Sequence, residues 1–300
     1  MRPITSSIGS LAYEVSKYMV SVLSPRRKNT FTVQNSSVFT QQIKQHSISS
    51  KEVMVSFDVK SLFTSIPVDL ALTITKERLK RDQTLAECTN LSVDNILRLS
   101  DFVRNNNYFK YDGNHYKKIF GCAIGSPISS VLADLVLEEI EETVISTFPY
   151  PPKWWFRYVD DSHSYLKKDQ VYKFQEYLNS VNLNIQFTLE LENTNGQGLP
   201  FLDTITSGTE IHVDVYRKST HTDRNLDFSS CHPLCHKRSV VNILLKKANN
   251  IPSTNKERQE ETKPVKAVLR DNNYPRPVTR GGCTGCICTP PTHRTQRSAF

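Results

Sequence analysis

Two acidic sites, each at the end of a run of strand-forming residues, constrain this chain more than any other feature. One is Asp58, closing Glu52-Val-Met-Val-Ser-Phe-Asp58. The other is the pair Asp160-Asp161, set between residues 154–159 and 164–166, which read as two strands of a hairpin. A carboxylate at the end of a buried apolar strand is costly unless a cation or hydrogen bonds neutralise it. Three such groups together repel one another, and divalent metal ions are the usual remedy. Mg²⁺, with Mn²⁺ as a substitute, suits such a set because it takes oxygen ligands and keeps waters and phosphates in its shell. Neighbouring side chains on a strand point to opposite faces, so Asp160 and Asp161 serve one site only at a hairpin tip. On this reading Asp58 and Asp160 bind metal directly and Asp161 is the weaker ligand. The plain alternative for Asp-Asp in a turn is turn chemistry alone.

The rest of the chain alternates helix and strand. Helical spacing predicts helices over residues 11–23, 69–81 with Asp69 as cap, 91–106, 126–145, 170–181, 236–249 and 255–272. A hairpin is predicted over 108–119 with Asp112-Gly113 at its turn, and strands near 185–191, 199–205 and 211–216. The run SPRRKNTFTVQNSS reads as loop. This is an α+β pattern with no internal repeat, in four stretches: residues 1–50, 51–205, 206–274 and a tail, 275–300, rich in Pro and Gly that reads as unstructured.

Charge is divided unevenly. Residues 1–205 hold 22 Lys+Arg and 22 Asp+Glu, whereas 206–300 hold 16 and 8, so the excess of +8 lies entirely in the last third. Such a basic segment beside a neutral body fits a polyanionic partner, the alternative being a solvated tail. No apolar run is long enough to span a membrane, and the first residues lack the apolar core of a secretory signal. Seven cysteines without an export signal read as reduced thiols, placing the chain inside the cell, in nucleus or cytoplasm. Arg26-Arg27-Lys28 is too short to count as a nuclear signal.

Three segments resemble, in order, the boxes of reverse transcriptases: Phe57-Asp-Val-Lys-Ser-Leu-Phe-Thr-Ser-Ile-Pro67, Gly121-Cys-Ala-Ile-Gly-Ser-Pro-Ile-Ser-Ser-Val-Leu-Ala133 and Tyr158-Val-Asp-Asp161. Leu199-Pro-Phe-Leu-Asp203, Val215-Tyr-Arg-Lys-Ser-Thr-His-Thr-Asp-Arg224, His232-Pro and His236-Lys-Arg-Ser239 look like Penelope-like retroelements in particular. The resemblance implies a right-hand polymerase: a remnant of fingers at 1–50, a palm at 51–205 and a basic connection with helical thumb at 206–274. It implies RNA-directed DNA synthesis, with an RNA template, a DNA primer, the RNA–DNA hybrid and deoxynucleoside triphosphates as partners. By the same resemblance Asp58, Asp160 and Asp161 are catalytic, Arg2 contacts the triphosphate, Phe63 screens the sugar, and Gly125 and Ser126 lie near template and nucleotide. A core Phe is the rival reading of Phe63. Trp154 and Trp155 read as packing residues. Most of the fingers and the GIY-YIG endonuclease of many family members have no counterpart here, so a shortened copy of an element, poor as a polymerase alone, is expected.

In the basic third, Arg217, Lys218, Arg224, Lys237 and Arg238 interleave with aromatics before a helix whose apolar face carries Val240, Val241, Leu244, Leu245 and Ala248. That arrangement suits a grip on phosphates without base readout, or else an amphipathic helix with a solvated face. Cys231-His232 and Cys235-His236 read as local packing. Cys283, Cys286, Cys288 and His293 have ligand-like residue types but lack the paired dyads of a structural zinc site, and zinc there is left open. Two rivals to a polymerase stand: a non-catalytic nucleic-acid-binding remnant, and another two-metal enzyme on a palm scaffold such as a nucleotide cyclase.

Overall fold

A computed structural model describes residues 7–192 and 198–275 of the chain. Arg2, the tail beyond Pro275 and the Cys283–Cys286–Cys288 group lie outside the described residues. The chain divides into two compact units. One takes the chain up to Leu202 with Thr206–Ile211, and the other takes Asp203–Ile205 and the chain from His212 on.

The first unit is built around β1 (Glu52–Val59), an inner strand of a four-stranded sheet. Its run of apolar and small residues explains that place, since an inner strand is covered on both faces: Met54, Val55 and Phe57 are fully buried. The sheet order is β4-β5-β1-β6, with β4 at Trp155–Tyr158, β5 at Asp161–Lys167 and β6 at Phe187–Leu191. Both of β1's neighbours run antiparallel to it. Phe57 stacks on Trp155 at 5.3 Å between ring centres and meets Phe174 at 5.6 Å. Phe174 belongs to α8 (Val171–Val181). Trp154 and Trp155 are both buried, as their reading as packing residues requires.

Helices surround this sheet. α1 (Leu11–Leu23) ends in a 3₁₀ turn at Ser24–Arg26. The polar run after it was expected to be loop throughout. Instead Asn35 caps a short helix, α2 (Ser36–Ile43), by accepting from Val38 N at 3.0 Å. Phe39 and Ile43, one turn apart, bury its apolar side completely. A two-residue apolar stripe among polar neighbours is too weak a periodic signal to read from sequence.

After β1 come α3 (Leu62–Ser65), α4 (Val68–Arg81), α5 (Leu85–Cys88) and α6 (Val93–Asn105). Pro67, not Asp69, occupies the cap position of α4, and Asp69 lies in its first turn, where a negative charge suits the helix dipole. Ser92 caps α6 by accepting from Asn95 N at 3.3 Å. The hairpin pairs β2 (Tyr108–Tyr111) with β3 (Asn114–Lys117), and Asp112 and Gly113 both take positive φ in its two-residue turn.

α7 (Pro127–Thr147) packs against α1, α4 and α8. It is apolar over most of its surface, yet it buries Glu138 and Glu141. Glu138 accepts from Lys28 N (3.1 Å) and Asn29 N (2.9 Å), and from Arg78. The basic triplet is likewise absorbed by the fold: Arg26 pairs with Asp82 (2.5 Å), Arg27 with Asp134 (2.8 Å) and Lys28 with Glu142 (2.5 Å).

Where one strand was expected over 199–205, Leu202 takes a left-handed φ of 57°. It divides the stretch into β7 (Leu199–Phe201) and β8 (Thr204–Ser207); β9 (His212–Val215) follows. In the second unit, α9 (Leu234–Asn250) packs on α10 (Asn255–Asp271). Val241, Ala248, Val265, Leu269 and Tyr274 form its core, with Val240, Leu244 and Leu245 against it. Thr254 and Glu257 form a reciprocal capping box at the start of α10. Cys231, His232, Cys235 and His236, expected to pack locally, are exposed. Among the described residues no helix is long and apolar enough to cross a membrane.

Candidate active site

β1 and β5 run antiparallel with Asp58 opposite Asp161 and Ser56 opposite His163. Directly opposed residues project to the same face, so Asp58 and Asp161 share one face of the sheet. Thr188 on β6 and Tyr158 on β4 complete that row, and Glu190 lies opposite Ser56 in the next. Asp160 occupies the tight turn between Tyr158 and Asp161, and its carbonyl accepts from Val59 N at 3.1 Å. Three acidic residues are therefore carried at the junction of one strand end and one hairpin tip.

Their electrostatics follow from this crowding. Burial pushes the Asp161 carboxyl up to about 6, and the charges of Asp58, Asp160 and Glu190 add to the rise. Ser56 Oγ, which donates to Asp161 Oδ1 at 3.0 Å, works in the opposite direction. Among the described residues no group of three or more His, Cys, Asp or Glu side chains is gathered closely enough to hold a metal by itself.

The hairpin tip is held from behind by a residue that the sequence reading passed over. Arg157, fully buried, projects to the face opposite the carboxylates. It pairs with Glu141 at 2.9 Å and Asp134 at 3.0 Å, both on α7. Its Nη1 also donates to the carbonyl of Val159 at 3.2 Å. Val159 adopts φ 57°, which costs a β-branched residue free energy that surrounding contacts must offset. Trp155 Nε1 donates to Glu141 at 2.8 Å, so both oxygens of that buried carboxylate are engaged. Burial raises the Glu141 pKa, opposed by the Arg157 charge and these hydrogen bonds. Alternation placed Arg157 on the inner face, and that is the signal from which its role was legible.

The Gly-Ser-Pro segment is fixed by two separate elements. Gly121 has φ 73°, and a Cβ there would lie 2.6 Å from the carbonyl oxygen of Thr64, so only glycine fits. Cys122 N donates to Phe63 O at 2.6 Å, tying the segment to α3. Ser126, buried, precedes Pro127 at the start of α7. Its own side chain does not cap that helix. Ser16 of α1, also buried, accepts from Ile128 N at 2.9 Å and shares a hydrogen bond with Ser126 Oγ at 3.2 Å. Gly125 is exposed, and its carbonyl accepts from Ser7 Oγ at 2.9 Å. Phe63 is half-buried on α3 against the main core. Capping by a distant serine leaves no mark in local sequence.

In the second unit the five expected cations differ in their engagements. Arg217 is held by both oxygens of Glu261. Lys237 donates to Ser230 O at 2.6 Å and lies 5.1 Å from the Phe228 ring centre. Lys218, Arg224 and Arg238 are exposed.

Comparisons with known proteins address the fold. A profile for an animal helix-turn-helix domain matches residues 224–280, the segment containing α9 and α10. No curated protein matches the chain in sequence. Telomerase from Candida albicans, in complex with a TWJ fragment of telomeric RNA, superposes with a TM-score of 0.61 at 14% identity, over 89% of this chain and 47% of that one. Telomerase from Candida tropicalis with the same kind of RNA fragment gives 0.51 at 12% identity, over 89% and 46%. An apo form from that organism, truncated from its C-terminal domain, gives 0.52 at 14%, over 68% and 45%. The chain spans about half the length of the structures it matches. At these identities the likeness concerns architecture, and the chain has a polymerase-like fold shared with telomerases.

Proposed function

We propose that this chain is the palm and thumb of an RNA-directed DNA polymerase from a Penelope-like retroelement, adding deoxynucleotides to a primer 3′-end. One observation carries the reading: Asp58 faces Asp161 in register, with Asp160 in the adjoining turn, within a fold shared with telomerase. Residues 51–205 would be the palm and 206–274 the thumb.

The carboxylates fit divalent cations chemically. An acid held at about 6 by burial and by three neighbouring negative charges is a group whose ionised form a cation stabilises. Asp58, Asp160 and Asp161 would hold Mg²⁺ or Mn²⁺, with water and substrate phosphates as remaining ligands. Such ions supply activation of the 3′-hydroxyl and charge neutralisation at the leaving pyrophosphate.

The chain's own residues do the positioning. Ser56 orients Asp161, and Arg157 holds the turn that carries Asp160. Gly125 and Ser126 would border the incoming nucleotide on a segment fixed by Ser16 and α3. Phe63 would lie against its sugar. In the thumb, exposed Lys218, Arg224 and Arg238 would meet phosphates of the RNA–DNA hybrid, a grip that needs no base readout.

Primer extension on poly(rA)–oligo(dT) with Mg²⁺ or Mn²⁺ tests this directly. The chain should extend the primer, and Asp160→Asn should abolish extension while retaining hybrid binding. Full extension by that variant, or none by the parent chain, would overturn the reading. Hybrid binding without extension would leave the non-catalytic remnant in its place.

A further inference from the structure

The hairpin β2–β3 has a composition and exposure that neither the core nor the carboxylate site explains. Its strands pack chiefly on each other, yet Tyr108, Tyr111 and Tyr116 are 57%, 56% and 43% exposed, and Ile119 and Phe120 beyond it are exposed too. An isolated two-stranded hairpin is marginal in water, and aromatic side chains left uncovered on both of its strands indicate a partner.

The register sorts its side chains into two faces. Phe109 opposes Tyr116 and Tyr111 opposes Asn114, which puts three aromatics on one side. Phe109 and Tyr116 stack at 5.4 Å and 19°, and Tyr111 lies next along the same face. Tyr108 opposes Lys117 and Lys110 opposes His115, which puts both lysines on the other side. Lys117 Nζ is 6.0 Å from the Tyr108 ring centre. Asp112, in the turn, is the hairpin's one acid. At its base, Lys118 N donates to Asn107 O at 3.1 Å and Lys118 Nζ to Cys122 O at 2.5 Å. The ribbon thus leads straight into the Gly-Ser-Pro segment.

We propose that this hairpin is a platform for single-stranded nucleic acid, which on the polymerase reading above, on which this inference rests, is the unpaired template. Flat aromatic faces accept any base, and lysines beside them offset phosphates, the combination that holds single strands without sequence preference. The strands of a sheet lie only about 5 Å apart, so lysine stems from one face can reach a backbone whose bases lie on the other. A protein partner on the aromatic face would need acidic groups placed at its edge to use the two lysines, whereas a nucleic-acid strand carries a phosphate beside every base. Net positive charge with stacked aromatics is complementary to a polyanion carrying bases.

Fluorescence anisotropy on the full chain tests this, using a labelled single-stranded RNA of about 12 nucleotides and, separately, a blunt RNA–DNA hybrid. Tyr111→Ala/Tyr116→Ala should weaken single-strand binding about tenfold or more while hybrid binding changes by less than about twofold. Lys110→Gln/Lys117→Gln should lower the single-strand slope of log affinity against log salt by about 1.4. Both pairs are exposed, so unchanged melting temperatures confirm folded variants. Undiminished single-strand affinity in the tyrosine variant overturns the proposal, as does a parent chain that ignores single strands. A parent chain that elutes as a dimer in gel filtration, with the tyrosine variant monomeric and still binding RNA, also overturns it. Failure of the polymerase reading has a different signature: no primer extension, whatever the single-strand affinity.

Discussion

Asp58 and Asp161 stand directly opposite one another on adjacent antiparallel strands, and Ser56 donates to Asp161 from two residues earlier on β1. Two acids so placed, with Asp160 in the next turn, oppose folding unless their charge is compensated. Stability and activity should therefore pull in opposite directions at this site.

Asp161→Asn should stabilise the metal-free chain while impairing nucleotide addition. A carboxyl raised from 3.8 to about 6 by folding favours the protonated form in the native state. Its penalty is absent below pH 3.8, grows between 3.8 and 6, and is complete above. At pH 7 the substitution should add roughly 1 to 3 kcal/mol. Urea unfolding in EDTA, at pH 4 and pH 7, measures it. Equal effects at the two pH values would contradict the assignment.

His163 should make the first unit acid-sensitive. It is fully buried, and Trp154 Nε1 donates to its Nδ1 at 3.3 Å, so Nε2 carries the proton and donates to Thr206 Oγ1 at 3.1 Å. Burial lowers its pKa from 6.5 to about 3. The unfolded chain then binds a proton that the folded one refuses. Stability from this group is complete above pH 6.5 and falls by about 1.4 kcal/mol per pH unit below it. His163→Gln should flatten that part of the profile, read by thermal melting from pH 7 to 5.

Removing Arg157 should cost more than its surface counterparts do. Arg157→Met leaves Glu141 buried without its cation, and such a loss costs about 3 to 5 kcal/mol. Arg157→Met/Glu141→Leu should cost less than the sum of the single changes, because neither charge remains stranded. Chemical denaturation of the four proteins closes the cycle. Strict additivity would mean that the pair is not coupled.

Phe63→Val should admit ribonucleotides if the ring borders the sugar. The half-buried ring also touches the core, so a loss of about 1 to 2 kcal/mol in stability accompanies the change. The ratio of incorporation efficiencies for ribo- and deoxynucleotides separates the two roles. An altered melting temperature with an unaltered ratio would leave Phe63 a packing residue only.

The cations of the second unit should not contribute equally. Arg238→Gln should lower the salt slope of hybrid binding by about 0.9, the value for one phosphate contact. Arg217, already held by Glu261, should leave the slope unchanged when replaced by Gln and cost less than about 1 kcal/mol in stability. Titrations over a range of salt concentrations distinguish them.

Much of this arrangement was legible in the residues. Strand alternation and the position of each acid placed Asp58 on one strand and Asp160-Asp161 at a hairpin tip. Helical spacing located α1, α7, α8, α9 and α10 to within two residues at either end. Asp112-Gly113 marked its turn because a two-residue connection needs positive φ, which these residues tolerate. α2 was lost because its apolar side consists of two residues, and the break at Leu202 because a leucine does not advertise a left-handed backbone.

What the sequence by itself determined is therefore local: the period of each element, the chemistry of its turns, and which residue types could carry charge into a site. Only the tertiary structure decided that Asp161 faces Asp58, that Ser16 caps α7 from a different helix, and that Arg26, Arg27 and Lys28 each pair with an acid, Arg26 in the interior and Lys28 at the surface. Those outcomes depend on strand register and on contacts between residues distant in the chain. Register and long-range pairing are fixed by the burial of whole faces, a quantity that exists only once the chain has closed on itself.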